Sequence, residues 1–281
     1  MNMRIRTLVV AGCLVCAACV PASEASPPAG AFGFVTEPSP ASRGEPFTTI
    51  DGWTIHIQTL ALQVNVSAMP DAEGSGRGYY GSSELYRFDA SQPVEVFTRA
   101  IPAGRASGRI SLMGDYLANT DFEASSDDDE RLNVIGLSPV VSARFHARSD
   151  AVSNLDGSIY TGPSMLLALR AEKGGRVITL DVTFDISSGF SNESMAAGDV
   201  PDDALVTTPV GVVVEALFED ETTQALRFDD FAFADADGDG IVSGIEITLL
   251  GCTRCGEEST GRSKRFFETL RARADRILVP R

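Results

Sequence analysis

The chain has 281 residues, 43% of them hydrophobic, which suits one large domain or two small ones and excludes a wholly disordered protein. Acidic residues outnumber basic residues by 39 to 23, and the formal net charge at pH 7 is −16. Because so acidic a body repels phosphate backbones, the sequence predicts no nucleic-acid partner.

The N-terminal segment has the pattern of a bacterial lipoprotein signal peptide. Arg4 and Arg6 precede an apolar run at 7–20 that is too short for a stable transmembrane span. The run includes C16-A-A-C19, which resembles the lipobox of bacterial lipoproteins, where two small residues precede a cysteine that receives a lipid. Cys19 is therefore the predicted lipidation site and the predicted N-terminus of the mature protein.

This reading predicts that residues 1–18 are removed and that the lipid anchors the protein to a membrane. V10-A-G-C13 leaves Cys13 as an alternative lipidation site, and an ordinary secretory signal would be cut near the same place. Val20, rather than aspartate, follows Cys19. By resemblance to enteric lipoproteins, this favours the outer membrane of the cell envelope, facing either the periplasm or the outside.

Residues 19–46 are predicted to form a tether that holds the body away from the membrane. Six prolines interrupt alanine, serine and glycine here, and such a composition does not bury a core. A short edge strand at 31–36 is expected within the tether.

The next region, 47–228, alternates apolar and polar residues with the period of β-strands. In the stretch 53–66 the apolar residues stand first at odd positions, up to 57, and then at even positions, from 60. This shift predicts a bulge near Gln58–Thr59, which keeps the apolar residues on both sides of it facing the core. E172-K-G-G175 predicts a hairpin turn. Further strands are predicted at 84–88, 93–98, 108–113, 140–147, 164–171, 176–186 and 209–218. The predicted fold is mainly β, an antiparallel β-sandwich.

The most specific motif is D235-A-D-G-D-G-I-V-S-G-I-E246, which has the spacing of an EF-hand calcium loop. Gly240 stands where such a loop turns sharply, and the apolar Val242 stands where it makes a short sheet contact. The predicted ligands at positions 1, 3, 5, 7, 9 and 12 are Asp235, Asp237, Asp239, Ile241 through its backbone carbonyl, Ser243 and Glu246. The alternative is a solvated Asp/Gly turn that holds no metal.

The loop is single, whereas sensor EF-hands work in pairs, and the dockerin modules that it also resembles carry two repeats. A lone loop outside the cytoplasm predicts a weak site, with a Kd on the order of 10⁻⁴–10⁻³ M, and hence a structural calcium ion. Residues 229–281 are predicted to form this loop and a short helical segment at 263–278. The apolar stripe of that segment is expected to dock on the domain's own core, and a membrane-surface helix is the alternative.

Cys252 and Cys255 follow the loop directly and are predicted to form a local disulfide, because the predicted compartment is oxidising. A thioredoxin-type pair would need a βαβ context, and a haem site would need histidine rather than Gly256. A zinc site would need two further ligands, and neither histidine is close in sequence.

The sequence contains no motif of an enzyme, and a non-enzymatic binding or structural role is predicted, with a protein or glycan partner unidentified. The nucleophile elbow, the phosphate loop, the dinucleotide fingerprint and the zinc-protease motif are all missing. A secreted hydrolase with a stabilising calcium remains an alternative, because carboxylates from different strands can pair. A transition-metal carrier would require His56 and His146, both expected to be exposed on strands, to converge.

The chain resembles a group of uncharacterised bacterial lipoproteins that combine a β-sandwich body with a late loop of this kind. The resemblance rests on G52-W-T-I55, I101-P-A-G104 and F228-D-D-F-A-F-A-D235. More distantly, residues 47–250 resemble periplasmic copper-binding proteins associated with methanobactin uptake. Those relatives use histidine and tryptophan ligands, and a histidine expected within 212–220 is missing here, so no copper site is predicted.

Overall fold

The computed structural model describes residues 29–70, 82–102, 104–112, 132–146, 151–153, 164–185, 196–218, 227–244, 246–247, 273–274 and 276–281. Within these residues the fold is mainly β, as the sequence predicts, with fourteen strands and two α-helices. The predicted lipidation site Cys19 and the predicted disulfide between Cys252 and Cys255 lie outside the described residues.

The strands form two sheets, of four and ten strands. The strands are β1 (Ala29–Pro38), β2 (Phe47–Thr48), β3 (Thr54–Pro70), β4 (Ser82–Asp89), β5 (Glu95–Pro102), β6 (Gly104–Leu112), β7 (Leu132–Ile135), β8 (Ala151–Ser153), β9 (Met165–Lys173), β10 (Arg176–Asp185), β11 (Ala196–Val200), β12 (Leu205–Val212), β13 (Ile241–Val242) and β14 (Leu278–Pro280). The helices are α1 (Pro139–His146) and α2 (Phe228–Ala234).

The smaller sheet has the order β14-β12-β1-β5, and the main path of the larger sheet is β11-β6-β3-β9-β10-β13. β2 and β4 also pair with β3, β7 pairs with β4, and β8 pairs with β10. The long strand β3 organises the larger sheet, because its first half pairs with β9 and its second half with β6. Residues from both sheets contribute to one hydrophobic cluster.

The predicted bulge in β3 is confirmed. The register between β3 and β9 shifts between Ile57 and Thr59, and apolar residues on both sides of the shift are buried. An extra residue at this point restores the inward direction of the following side chains. The predicted hairpin is also confirmed, because Lys173 pairs with Arg176 across Gly174 and Gly175, both of which have positive φ.

The predicted tether is wrong for residues 29–46. The strand expected at 31–36 is present as part of β1, but the expectation that it lies at a sheet edge is wrong. β1 lies inside the smaller sheet, parallel to β12 on one side and antiparallel to β5 on the other. Phe32 and Phe34 on this strand are fully buried, and Gly108 of β6 leaves room for the Phe32 ring where a Cβ would clash with it. Because these two rings supply core volume, the strand belongs to the body of the protein.

The sheets are mixed, so the prediction of purely antiparallel pairing is wrong. β1–β12, β4–β7, β8–β10 and β10–β13 are parallel pairs. Parallel neighbours cannot be joined by a tight turn, and each of these pairs joins strands separated by a long connection. Local turn signals in the sequence carry no information about such pairings.

The strand predicted at 140–147 is the helix α1. The Ser138 hydroxyl accepts a hydrogen bond from Val141 N at 3.3 Å, and Pro139 is the first helical residue, a combination typical of helix starts. Leu137, Val141 and Phe145 recur every four residues, and they form a small cluster with Ala61 and Leu166. The apolar spacing therefore suits a helix that covers the outer side of the larger sheet.

The strand predicted at 209–218 ends earlier than expected, at Val212, and a 3₁₀ helix follows at Val214–Leu217. Val214 N donates to the buried Ser42 hydroxyl at 3.1 Å, which draws the backbone away from the sheet. The helix predicted at 263–278 is described only at its end. Residues 273–274 are helical, but the chain then turns and enters β14, so the helix does not continue to 278.

Candidate metal centre

Helix α2 delivers the chain to the predicted calcium loop and is fixed to the body by aromatic packing. Phe228 and Phe231 are buried, and the Phe228 ring lies 5.1 Å from the Trp53 ring and 5.6 Å from the Phe218 ring, centroid to centroid. Aromatic rings at these distances pack in tilted or edge-to-face arrangements that contribute beyond their buried area. The start of the loop at Asp235 is thereby held at a defined place.

Polar contacts of Asp229 add to this attachment. Trp53 Nε1 donates to Asp229 Oδ1 at 2.7 Å, and Lys173 Nζ donates to the same oxygen at 2.9 Å. The backbone N–H of Asp229 donates to Asp51 Oδ2 at 2.8 Å, which caps the N-terminal turn of α2. The burial of Asp229 by itself raises its pKa, but the donors Lys173 and Trp53 outweigh this effect and hold the pKa below its ordinary value.

The turn of the loop depends on glycine at two positions. Gly238 and Gly240 have φ values of 78° and 83°, in the left-handed region that other residues rarely adopt. A Cβ at Gly240 would also lie 3.2 Å from the Val177 carbonyl oxygen, so the loop approaches β10 closely at this point. Gly240 therefore serves both the sharp turn and the contact with the sheet.

Three of the predicted ligands converge. Asp235, Asp237 and Asp239 each offer a carboxylate oxygen, and these oxygens all lie within 4.8 Å of one another. The Asp235 side chain is only 3% exposed, whereas Asp237 and Asp239 face solvent. Backbone N–H groups of the loop point at them, with Gly240 N 3.3 Å from Asp235 Oδ1 and Ile241 N 2.7 Å from Asp239 Oδ1. Like charges at such spacing repel one another, and a cation between them would relieve that repulsion.

Ser243 and Glu246 form a capping box at the exit of the loop. Glu246 Oε2 accepts hydrogen bonds from Ser243 N at 2.8 Å and from Ser243 Oγ at 2.9 Å, and Ser243 Oγ accepts one from Glu246 N at 3.3 Å. Glu246 Oε1 also accepts a hydrogen bond from Ala236 N at 3.3 Å, which joins the exit of the loop to its entrance. Among the described residues, the cluster within 4.8 Å comprises only the three aspartates, and Glu246 is not part of it.

The apolar position of the loop makes its sheet contact with the body of the protein. Ile241 and Val242 form β13, which pairs in parallel with Thr179 and Leu180 of β10, and Thr179 N donates to the Gly240 carbonyl at 2.8 Å. Val242 is fully buried, as its position predicts, while the Ile241 side chain is 53% exposed. The strand that pairs with β13 is therefore β10, from the larger sheet.

Arg176 is a further residue of this site, and sequence analysis did not identify it. Its Nη2 donates to the Ala232 carbonyl at 2.8 Å and to Asp235 Oδ2 at 3.2 Å. No motif links Arg176 to the loop, because the two residues of the ion pair are 59 positions apart. Only the pairing of β10 with β13 brings them together.

The two histidines lie on different elements of the fold. The His56 side chain is exposed on β3, as predicted, and His146 is the last residue of α1 rather than a strand residue.

Comparisons with protein-family models, with curated proteins and with solved structures found no significant match to this chain. Neither helix in the described part of the chain has the length and apolar character needed to cross a membrane.

Proposed function

We propose that this protein is a lipid-anchored protein of the cell envelope, with a binding or structural rather than an enzymatic role, and that residues 235–246 hold one structural calcium ion. The observation that carries the proposal is the convergence of the Asp235, Asp237 and Asp239 carboxylates on a glycine-dependent turn. Carboxylate, hydroxyl and backbone carbonyl oxygens are the hard ligands that calcium prefers. Ile241, Ser243 and Glu246 would complete the set.

A structural role for the ion follows from the attachments of the loop. Its entrance continues from α2, which packs on Trp53, and its middle forms β13 at the edge of the larger sheet. An ion bound here would tie the helix to the sheet edge. A strand at a sheet edge has unpaired backbone groups that can pair with another chain. Because β13 pairs with β10 at Thr179 and Leu180, a firmly held β13 keeps other chains from pairing with β10 there.

The two sheets are proposed to stack as the β-sandwich that the sequence suggests. Support comes from the single hydrophobic cluster that includes side chains of both sheets, and from the fit of Phe32 over Gly108. Two sheets packed face to face in this way bury a common core.

Calcium is expected to stabilise the folded protein measurably. At roughly ten to a hundred times its Kd, the ion adds about 1.4–2.7 kcal/mol to the free energy of unfolding. For a chain of this size the melting temperature should rise by about 3–10 °C relative to EDTA. Glu246→Gln should lose most of this increment, because calcium in such loops takes a bidentate carboxylate at the last position. The measurement is thermal unfolding by circular dichroism in EDTA and in calcium.

The matched control is Glu172→Gln on β9, which removes one negative charge from an exposed ion pair with Arg170. This variant should retain the full calcium-dependent increment. Coincident melting curves of the wild-type protein in EDTA and calcium would exclude the calcium site. An undiminished increment in Glu246→Gln would exclude the proposed ligand set.

The lipid anchor is tested separately at Cys19. Cys19→Ser should abolish metabolic labelling with palmitate and release the protein from membranes, because the modified thiol is lost. Cys13→Ser is the control and should leave labelling intact. Labelling that persists in Cys19→Ser and disappears in Cys13→Ser would assign the anchor to Cys13.

A further inference from the structure

The side chain of Arg176 places a positive charge on the first aspartate of the loop, Asp235. Arg176 is the first residue of β10, directly after the Gly174–Gly175 turn, and its Nη2 contacts both Asp235 Oδ2 and the Ala232 carbonyl. The Asp235 carboxylate is almost fully buried, while the Arg176 side chain is 50% exposed. The guanidinium therefore reaches in from the solvent side to a carboxylate that the fold has already fixed in place.

Both oxygens of Asp235 are engaged in this arrangement. Gly240 N donates to Oδ1, and Arg176 donates to Oδ2. A calcium ion at the first position of the loop would bind one of these oxygens. If the ion displaces Arg176, a charge-assisted hydrogen bond is lost, and if Arg176 stays, two cations share one carboxylate. Both outcomes weaken calcium binding.

We propose that Arg176 is a built-in counter-ion that competes with calcium for Asp235, keeps the metal-free loop folded and lowers its calcium affinity. This inference rests on the proposed calcium site. Arg176 links β10 to the end of α2, through the Ala232 carbonyl, and to the first residue of the loop, through Asp235. Because the metal-free loop is held in this way, loss of calcium leaves α2 and β13 attached.

Removal of a calcium ligand raises the Kd for calcium, whereas removal of a competing cation should lower it. Arg176→Gln removes the competing charge, and we expect the Kd for calcium to fall by about three- to fivefold, the upper part of the range for an exposed ion pair. In EDTA the same variant should melt at a lower temperature than the wild-type protein. Since ion pairs at the surface are screened by salt, the difference in Kd between the two proteins should shrink in 1 M NaCl.

The experiment is calorimetric titration of the full chain with calcium chloride, for the wild-type protein, Arg176→Gln, Arg176→Lys and the control Arg170→Gln. Arg170 lies on β9 opposite Thr179 and pairs with Glu172, so its replacement removes the same charge without touching Asp235. We expect a Kd change of about twofold or less for Arg170→Gln. Arg176→Lys keeps the charge and loses the planar fork, so its Kd should lie between those of the wild type and Arg176→Gln.

A Kd for Arg176→Gln that equals or exceeds the wild-type value would overturn the inference and leave the calcium site standing. An equal fall in Kd for Arg170→Gln would also overturn it, because the effect would then be one of net charge. Should Arg176→Gln fail to fold, a Kd for Arg176→Lys no lower than that of the wild type would count against competition. A wild-type protein that binds no calcium would remove the calcium site and this inference together.

Discussion

Replacing Phe32 with alanine is expected to lower the free energy of unfolding by about 3–5 kcal/mol, the usual range for loss of a buried phenylalanine. The ring is fully buried and packs edge-to-face on Phe34, with 5.3 Å between the centroids. Together with the Phe34 ring, it fills the space next to Gly108. Removal of the ring therefore leaves a cavity next to Gly108.

The measurement is equilibrium unfolding in urea, and Leu205→Ala is the matched control. Leu205 lies on the neighbouring strand β12, where it pairs with Ala31 of β1. The Leu205 side chain is 48% exposed. Its replacement should change stability by about 0.5 kcal/mol or less, as is usual at the surface. Equal, small effects of the two substitutions would mean that residues 29–38 are a tether after all and that the two sheets do not depend on β1.

Replacing Trp53 with alanine should cost a similar amount, about 3–5 kcal/mol. The side chain is 2% exposed, packs on Phe228, and donates from Nε1 to Asp229 Oδ1 at 2.7 Å. The Lys173 ammonium lies 5.6 Å from the centre of the indole and adds a cation–π contact. Because these contacts fix α2, the loss of the indole loosens the entrance of the calcium loop as well as the core.

A double-mutant cycle separates the hydrogen bond from the packing. Trp53→Phe keeps an aromatic ring and loses the Nε1 donor, while Asp229→Ala removes the acceptor. If the hydrogen bond holds the helix, the two substitutions together should cost less than the sum of the single effects, by at least about 0.5 kcal/mol. Simple additivity in urea unfolding would show that this hydrogen bond adds nothing to the packing of Trp53 on Phe228.

Where the sequence predicted the structure correctly, the signal was local. The alternation in β3, its bulge near Thr59 and the turn at Gly174–Gly175 depend on neighbouring residues, and all three are observed. The same reasoning misjudged α1, because Val140, Val141 and Phe145 fit both a strand and a helix, and the start signal at Ser138–Pro139 decides between them. Short apolar segments are ambiguous when periodicity is the only criterion.

The prediction of a tether failed over residues 29–46 for a related reason. Proline, alanine and serine dominate 19–46, and this composition indicated a tether although the segment also contains Phe32 and Phe34 of β1. The strand is stable because β12 and β5 lie on either side of it and because the larger sheet covers Phe32. These partners are far away in the sequence, so no window along the chain could reveal them.

The sequence by itself determined the candidate metal centre, since twelve consecutive residues carry the spacing of carboxylates, the glycine turn and the apolar position that pairs with a strand. Those features are local, and a short backbone loop brings Asp235, Asp237 and Asp239 together. The tertiary structure alone decided what surrounds the centre. The pairing of β13 with β10 and the approach of Arg176 to Asp235 join residues about 60 positions apart, and only the packing of the complete fold sets such contacts.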